Sequence, residues 1–155
     1  GSRWGALLSL ESISMASRQV FVDTNILVYA HDRDAADKHL RAKEKVAYLW
    51  RLPVSPAISV QVLQELYVNL VRKDVSSEEA RQTVIDYGAW HVVDNDRDLL
   101  VEGIDLRDRW QCSFWDALIL AAAKRAQAGV IWSEDFSTAQ NYDGIVAVNP
   151  LAETT

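Results

Sequence analysis

The feature that most restricts the fold is an alternation. Short apolar runs rich in β-branched and aromatic residues take turns along the chain with longer stretches of helical periodicity. The run 18–22 (RQVFV) reads as a buried strand that feeds a helix beginning near Asp23. Residues 34–52 read as a second helix, apolar at Leu40, Val46, Ala47 and Leu49, basic on its outer face and ended by Pro53. An extended piece, 54–58, leads into a helix over 59–73 carried by Val60, Leu63, Tyr67, Leu70 and Val71. A helix over 76–90 opens on Ser76 or Ser77 as its cap, with Glu79 as the capping-box acid if Ser76 is the cap. A short strand follows at 91–94, then helices over 96–110 and 113–129, the latter ending on Gly129 at a C-terminal cap position. Strands at 130–135 and 145–150 complete the chain. Strands separated by helices pair in parallel and need helices on both faces. The expected fold is therefore α/β, one domain with a central parallel β-sheet between helices.

Composition sets the outer bounds. A chain of 155 residues suits one domain, expected over 18–150, with an N-terminal leader at 1–17 and a tail at 151–155. Gly1-Ser2 reads as an expression scar and Met15 as a possible natural start, while Ala6-Leu7-Leu8 is too short for a signal-peptide core. No apolar run reaches membrane-spanning length, so no membrane partner is expected. The lone Cys112 excludes an internal disulfide and a thiolate zinc cluster, which fits a cytoplasmic setting. Glycine-rich phosphate loops are absent, and His31, His39 and His91 are scattered over different elements. Trp115 and Trp132 read as core residues.

In open α/β sheets, ligands sit beyond the carboxyl ends of the strands, where strand order reverses. Several acids gather at such positions. Asp23 closes the first strand, Glu134-Asp135 follow the strand ending at Ser133, and Asp116 lies in the first turn of its helix. Glu65 is the one acid on an otherwise uncharged stretch of its helix. Each has an ordinary structural reading too: Asp23 as an N-cap, Asp116 as the N3 acid behind Ser113, Glu65 as part of a solvent-facing polar stripe with Gln61, Asn69 and Arg72, and Asp135 as the cap of a short turn. Unrelated caps need not cluster at one sheet edge, so the four together carry more weight than any one.

Carboxylates crowded together with no Lys or His among them raise one another's pKa and oppose folding. A divalent cation relieves that repulsion, and all-oxygen donors suit Mg²⁺ or Mn²⁺. On this reading Asp23 is a metal ligand and the chemistry is phosphoryl displacement.

The same residues carry a resemblance. VFVDTNILVYAHD, Glu65 within SVQVLQELYVNL, SFWDALILAAAKRAQAGVIWSEDF and the ending VAVNP resemble the PIN-domain ribonucleases, in particular the VapC toxins of bacterial toxin–antitoxin pairs. The likeness runs from about residue 19 to about residue 150. The acidic tetrad it implies falls on Asp23, Glu65, Asp116 and Asp135, with Thr24 and Ser133 as supporting hydroxyl residues. It further implies Mg²⁺- or Mn²⁺-dependent cleavage of RNA, a homodimer, and inhibition by a cognate VapB-like antitoxin.

A formal charge of −6 is unlike a typical RNA binder. Cations at the site reverse its local sign, and Arg33, Lys38, Arg41, Lys43 and Lys45 offer a basic flank along the second helix, though a solvated face explains them equally. The competing reading is a non-catalytic α/β binding module with an acidic pocket, such as a receiver-like domain or an inactive PIN scaffold. A receiver needs a lysine at the end of its last strand, and IVAVNP has none.

Overall fold

Val20, Phe21 and Val22 form β1 (Val20–Val22), the strand from which both halves of the sheet grow. A computed structural model describes residues 19–152; the expected leader at 1–17, with its Gly1-Ser2 and Met15 readings, Arg18, and tail residues 153–155 lie outside the described residues. After β1 come α1 (Thr24–His31), a 3₁₀ turn (Arg33–Ala35), α2 (Asp37–Trp50), β2 (Ala57–Ser59), α3 (Val60–Arg72), α4 (Ser77–Tyr87) and β3 (His91–Val93). Then follow α5 (Arg97–Trp110), α6 (Phe114–Arg125), β4 (Val130–Trp132), β5 (Asn141–Tyr142) and β6 (Ile145–Val148).

The sheet order is β3-β2-β1-β4-β6-β5. All neighbouring pairs are parallel except the β5–β6 hairpin. The chain steps from β1 through β2 to β3 in one lateral direction, then returns across β1 to β4. Right-handed crossovers therefore put α1 to α4 on one face and α5 with α6 on the other. The contacts agree, since α1 packs on α2 and α3, α3 on α4, and α5 along α6. Between the layers lie the fully buried Phe21, Ile26, Leu27, Ile58, Leu66, Leu120 and Ile131. Gly103 lets α5 lie close to α6: a Cβ there would stand 2.7 Å from Leu118 Cδ2.

Several local details differ from expectation. The last helix does not end on Gly129. It ends at Arg125, and Gln127 takes the left-handed position (φ 59°), with Ala128 N donating to Ala123 O and Gln127 N to Lys124 O. That is a Schellman closure built without glycine. Gly129 is instead at the sheet, its N–H donating to Gln19 O. The second helix starts at Asp37, because Asp32 accepts from Asp34 N and winds 33–35 into a 3₁₀ turn. Leu40 and Ala47 are exposed, and Ala42, Val46 and Leu49 make its buried stripe. Ser76 is the cap of α4, accepting from Glu79 N at 3.2 Å. The antiparallel edge strand β5 was not expected. Asp143 (φ 56°) and Gly144 (φ 98°) form its two-residue turn, the Asp-Gly pair that a type I′ hairpin needs.

Candidate active site

The place where strand order reverses lies between β1 and β4. Val22 is in register with Trp132, so the next residues, Asp23 and Ser133, emerge side by side at the carboxyl edge. Ser133 Oγ donates to Asp23 Oδ2 at 2.7 Å and accepts from Asp135 N at 2.9 Å. One hydroxyl thus holds both acids to the end of β4. Asp23 Oδ1 accepts from Thr24 N at 2.7 Å. An N-cap side chain ordinarily reaches N2 or N3, so capping accounts for only part of what Asp23 does.

Asp23 is 4% exposed and Ser133 fully buried. Burial pushes the Asp23 carboxyl up to about 7; the bonds from Ser133 and Thr24 oppose the rise, and the charges of Asp135 and Glu65 add to it. Asn25 braces the same edge, its Nδ2 donating to Asp135 Oδ2 at 3.2 Å and its Oδ1 accepting from Glu134 N at 3.4 Å.

Glu65 arrives on α3, which Ser59 caps by accepting from Val62 N. The polar stripe of α3 does not simply face water. Gln61 is 6% exposed, and its Nε2 donates to Glu65 Oε1 at 2.7 Å and to Trp115 O at 3.3 Å. Asn69 Nδ2 donates to the Glu65 carbonyl at 2.8 Å. Asp116 is half-buried in the first turn of α6, its N–H donating to the Ser113 cap at 3.1 Å. Its carboxyl lies above the usual range, chiefly through burial; Ser113 opposes the rise, and Asp135 and Glu65 add to it. Asp116 therefore is the N3 acid of its helix and also feels the other acids.

Asp23, Thr24, Asn25, Glu65 and Asp135 line one cleft of about 340 Å³. Asp116 stands beside it rather than in its wall. Two cations sit at or near the rim, each paired: Lys73 with Asp32 at 2.9 Å, and Lys38 with Glu134 at 2.8 Å while lying over the Tyr29 ring. Thr24 Oγ1 is buried with no partner. Among the described residues no three acids, histidines or cysteines converge into a ready-made coordination shell. Glu65 is drawn to Gln61, Asp135 to Asn25, and Asp23 to Ser133. The donor chemistry still fits a hard divalent cation, which keeps several waters and needs only a few carboxylates. A buried carboxyl raised to about 7 and an orphaned hydroxyl beside it are the groups such an ion satisfies.

The other candidates have structural work. His31 pairs with the Tyr87 hydroxyl, His39 with Tyr29 O and His91 with Gln19. Burial, with Asp116 nearby, pushes the Cys112 thiol up and makes it a poor nucleophile. Of the proposed basic flank, Lys38 leans to the rim, while Arg41 Nη1 donates to Leu151 O. Trp132 packs against the core, but Trp115 is 64% exposed, contrary to its reading as core. Sequence reasoning also missed Asn25 and Gln61. The Asp-Thr-Asn junction and the i, i+4 spacing of Gln61 and Glu65 were the available signals.

The sequence profile of the PIN domain family matches residues 20–143. No curated protein matches the chain in sequence. Among solved structures, the chain is similar to one from a toxin–antitoxin complex of Klebsiella pneumoniae, with a TM-score of 0.64, 21% identity, and 85% of this chain and 98% of that one covered. It is similar to VapC20 of Mycobacterium tuberculosis, described as a toxin that cleaves the sarcin–ricin loop (TM-score 0.59, 22% identity, 76% and 90% covered). A third is from VapBC2 of Rickettsia felis bound to a promoter DNA fragment (TM-score 0.58, 20% identity, 83% and 96% covered). At these identities the likeness speaks to the fold alone.

Proposed function

We propose, for a chain that belongs to the PIN-domain family, that the acidic cleft is the centre of a metal-dependent endoribonuclease, and that the protein is the VapC-type toxin of a toxin–antitoxin pair. The observation that supports this best is the Asp23–Ser133–Asp135 linkage at the strand-order reversal, with the Asp23 carboxyl at about 7 and Glu65 within electrostatic reach. When bound, Mg²⁺ or Mn²⁺, held through oxygens of Asp23, Asp135, Glu65 and Asp116, supplies positive charge where the phosphate and leaving oxygen gather negative charge.

The protein's own groups do the rest. Ser133 and the Thr24 N–H orient Asp23; Asn25 and Ser133 orient Asp135. Gln61 holds Oε1 of Glu65, which leaves Oε2 to orient the attacking water and accept its proton. The water oxygen then bonds to phosphorus as the phosphorus–oxygen bond to the leaving ribose breaks. The supporting place of Thr24 is its unpaired Oγ1 in the cleft.

The relatives in toxin–antitoxin complexes support an antitoxin partner, a VapB-like protein in this reading. Its docking face is sought on the helices around Tyr29, Trp50 and Tyr67, of which Trp50 and Tyr67 are exposed, Trp50 lying over the buried Tyr87 and Trp90 at 5.8 and 4.9 Å between ring centroids. A homodimer and a cytoplasmic site of action complete the reading; no helix among the described residues is long and apolar enough to cross a membrane.

The test is incubation of the purified chain with total RNA, with Mn²⁺ or with chelator, and mapping of the ends, alongside melting under both conditions. Discrete cleavage that requires metal, and a higher melting temperature with Mn²⁺, are expected. Absence of both overturns the reading.

A further inference from the structure

We propose that the groove on the far side of Gln61 from the acids is the seat of one unpaired RNA base, stacked on Trp115. The inference rests on the nuclease reading for its substrate class. Trp115 is the second residue of α6, immediately before Asp116, and at 64% exposed it is far more open than a tryptophan that packs a core. Phe114 meets its ring edge-on, with centroids 5.2 Å apart and planes at 69°. The groove beside it, about 420 Å³, has Leu100, Phe114 and Leu118 for apolar walls and Gln64, Asn95, Arg97 and Asp96 for its polar lining, the Asp96 carboxylate being held by Arg125 at 2.9 Å.

This groove is continuous with the acidic cleft through one side chain. Gln61 Nε2 donates both to Glu65 Oε1 and to the Trp115 carbonyl, so the backbone that carries the indole is held to the Glu65 carboxylate. Because Nε2 faces two oxygens, the orientation of the amide is settled and Oε1 points the other way. Gln61 is 6% exposed, and that Oε1 has no partner.

The link through Gln61 to Glu65 favours a base of the strand in the cleft over other occupants. A chain of net charge −6 gains little from attraction to phosphates. Affinity for a single strand must then come largely from a π-face, and stacking on an exposed aromatic supplies it without regard to sequence. A strand with one base on Trp115 has its backbone running past Gln61 toward Glu65 and Asp135. Trp115 is on this view a substrate-binding residue, and Gln61 a positioning residue that sets the register between stacked base and cleaved bond.

The experiment uses the full chain in chelator, so that nothing is cut, and labelled single-stranded RNA in which one abasic site is moved along the sequence. Parent, Trp115→Phe and Trp115→Ala are compared for binding, melting and oligomeric state, and cleavage with Mn²⁺ is followed in parallel. Trp115→Ala is expected to bind about 5- to 150-fold more weakly, with Trp115→Phe close to the parent. One abasic position should weaken the parent by a similar factor and leave Trp115→Ala unaffected. In cleavage, KM should rise and kcat hold. Equal binding by parent and Trp115→Ala, or equal abasic penalties in both, overturns the proposal. So does a changed oligomeric state with RNA binding intact, which makes the patch an interface between copies. A parent that shows the abasic signature and never cleaves defeats the nuclease reading and leaves the base seat standing; a parent that cleaves while Trp115→Ala is indifferent does the reverse.

Discussion

Asp23→Asn is the substitution whose outcome follows most directly from the geometry. The Asp23 carboxyl is buried and raised from 3.8 to about 7. An acid with a raised folded-state pKa contributes full stability below its unfolded value and loses it as pH rises through the folded one. A shift of roughly three units, at 1.36 kcal/mol each, makes the metal-free parent about 4 kcal/mol less stable at about pH 8 than a neutral side chain of the same shape would leave it. Asparagine is that side chain, and it caps α1 as well as aspartate does. It sacrifices the bond from Ser133, a loss of about 1 kcal/mol for a neutral pair. In chelator at about pH 8, Asp23→Asn should therefore be more stable by about 3 kcal/mol, or roughly 6–12 °C in melting temperature for a domain of this size. At about pH 4.5 the two should be nearly equal, because the penalty on the parent has shrunk to about 1 kcal/mol. Urea melts at both pH values read the difference. A variant destabilised by the same amount at both would show that Asp23 carries no buried charge and would remove the electrostatic reason for a cation in the cleft. With Mn²⁺ present the order should invert, and RNA cleavage should be lost.

Other expectations separate structural from catalytic parts. Asp116→Asn weakens a helix N-terminus by about 0.3–1 kcal/mol but relieves repulsion from Asp135 and Glu65; metal-free melting should be unchanged or higher, while Mn²⁺ protection and cleavage disappear together, and near-parental cleavage would return Asp116 to capping alone. Ser133→Ala deprives Asp23 of a donor and Asp135 N of an acceptor; a loss of about 1–3 kcal/mol is expected by urea melting, with the alkaline-going limb of the cleavage profile moved to higher pH because a bond to the charged form is gone. Gly103→Val drives a side chain into Leu118 and should lower stability by about 1–3 kcal/mol, read by thermal melting, with kcat preserved in the surviving folded fraction.

The parts of this protein that are local were legible in its sequence. β1 and the acid that closes it, the Ser76 and Ser113 caps, the helix of Asp116 and the order of the four acids all follow from spacings of a few residues, where chain geometry alone decides which groups are neighbours. The Asp-Gly turn at 143–144 is equally local but went unread, because the strand it follows is only two residues long and shows no period. Gln127 was not, because glycine is the usual left-handed cap and nothing local marks a glutamine for that position. What only tertiary structure decided is how distant pieces meet. The register of β1 against β4 sets Ser133 on Asp23 across 110 residues, and the approach of α6 to the start of α3 sets Trp115 O on Gln61. Burial was decided there too: Gln61 reads as a surface residue and is covered, while Trp115 reads as core and is open. The amino-acid sequence determines which acids stand at strand ends and helix starts, since those are consequences of backbone periodicity. Their shared environment, and with it the Asp23 carboxyl at about 7, exists only once the sheet has closed, because desolvation is a property of everything that surrounds a group and not of the group itself.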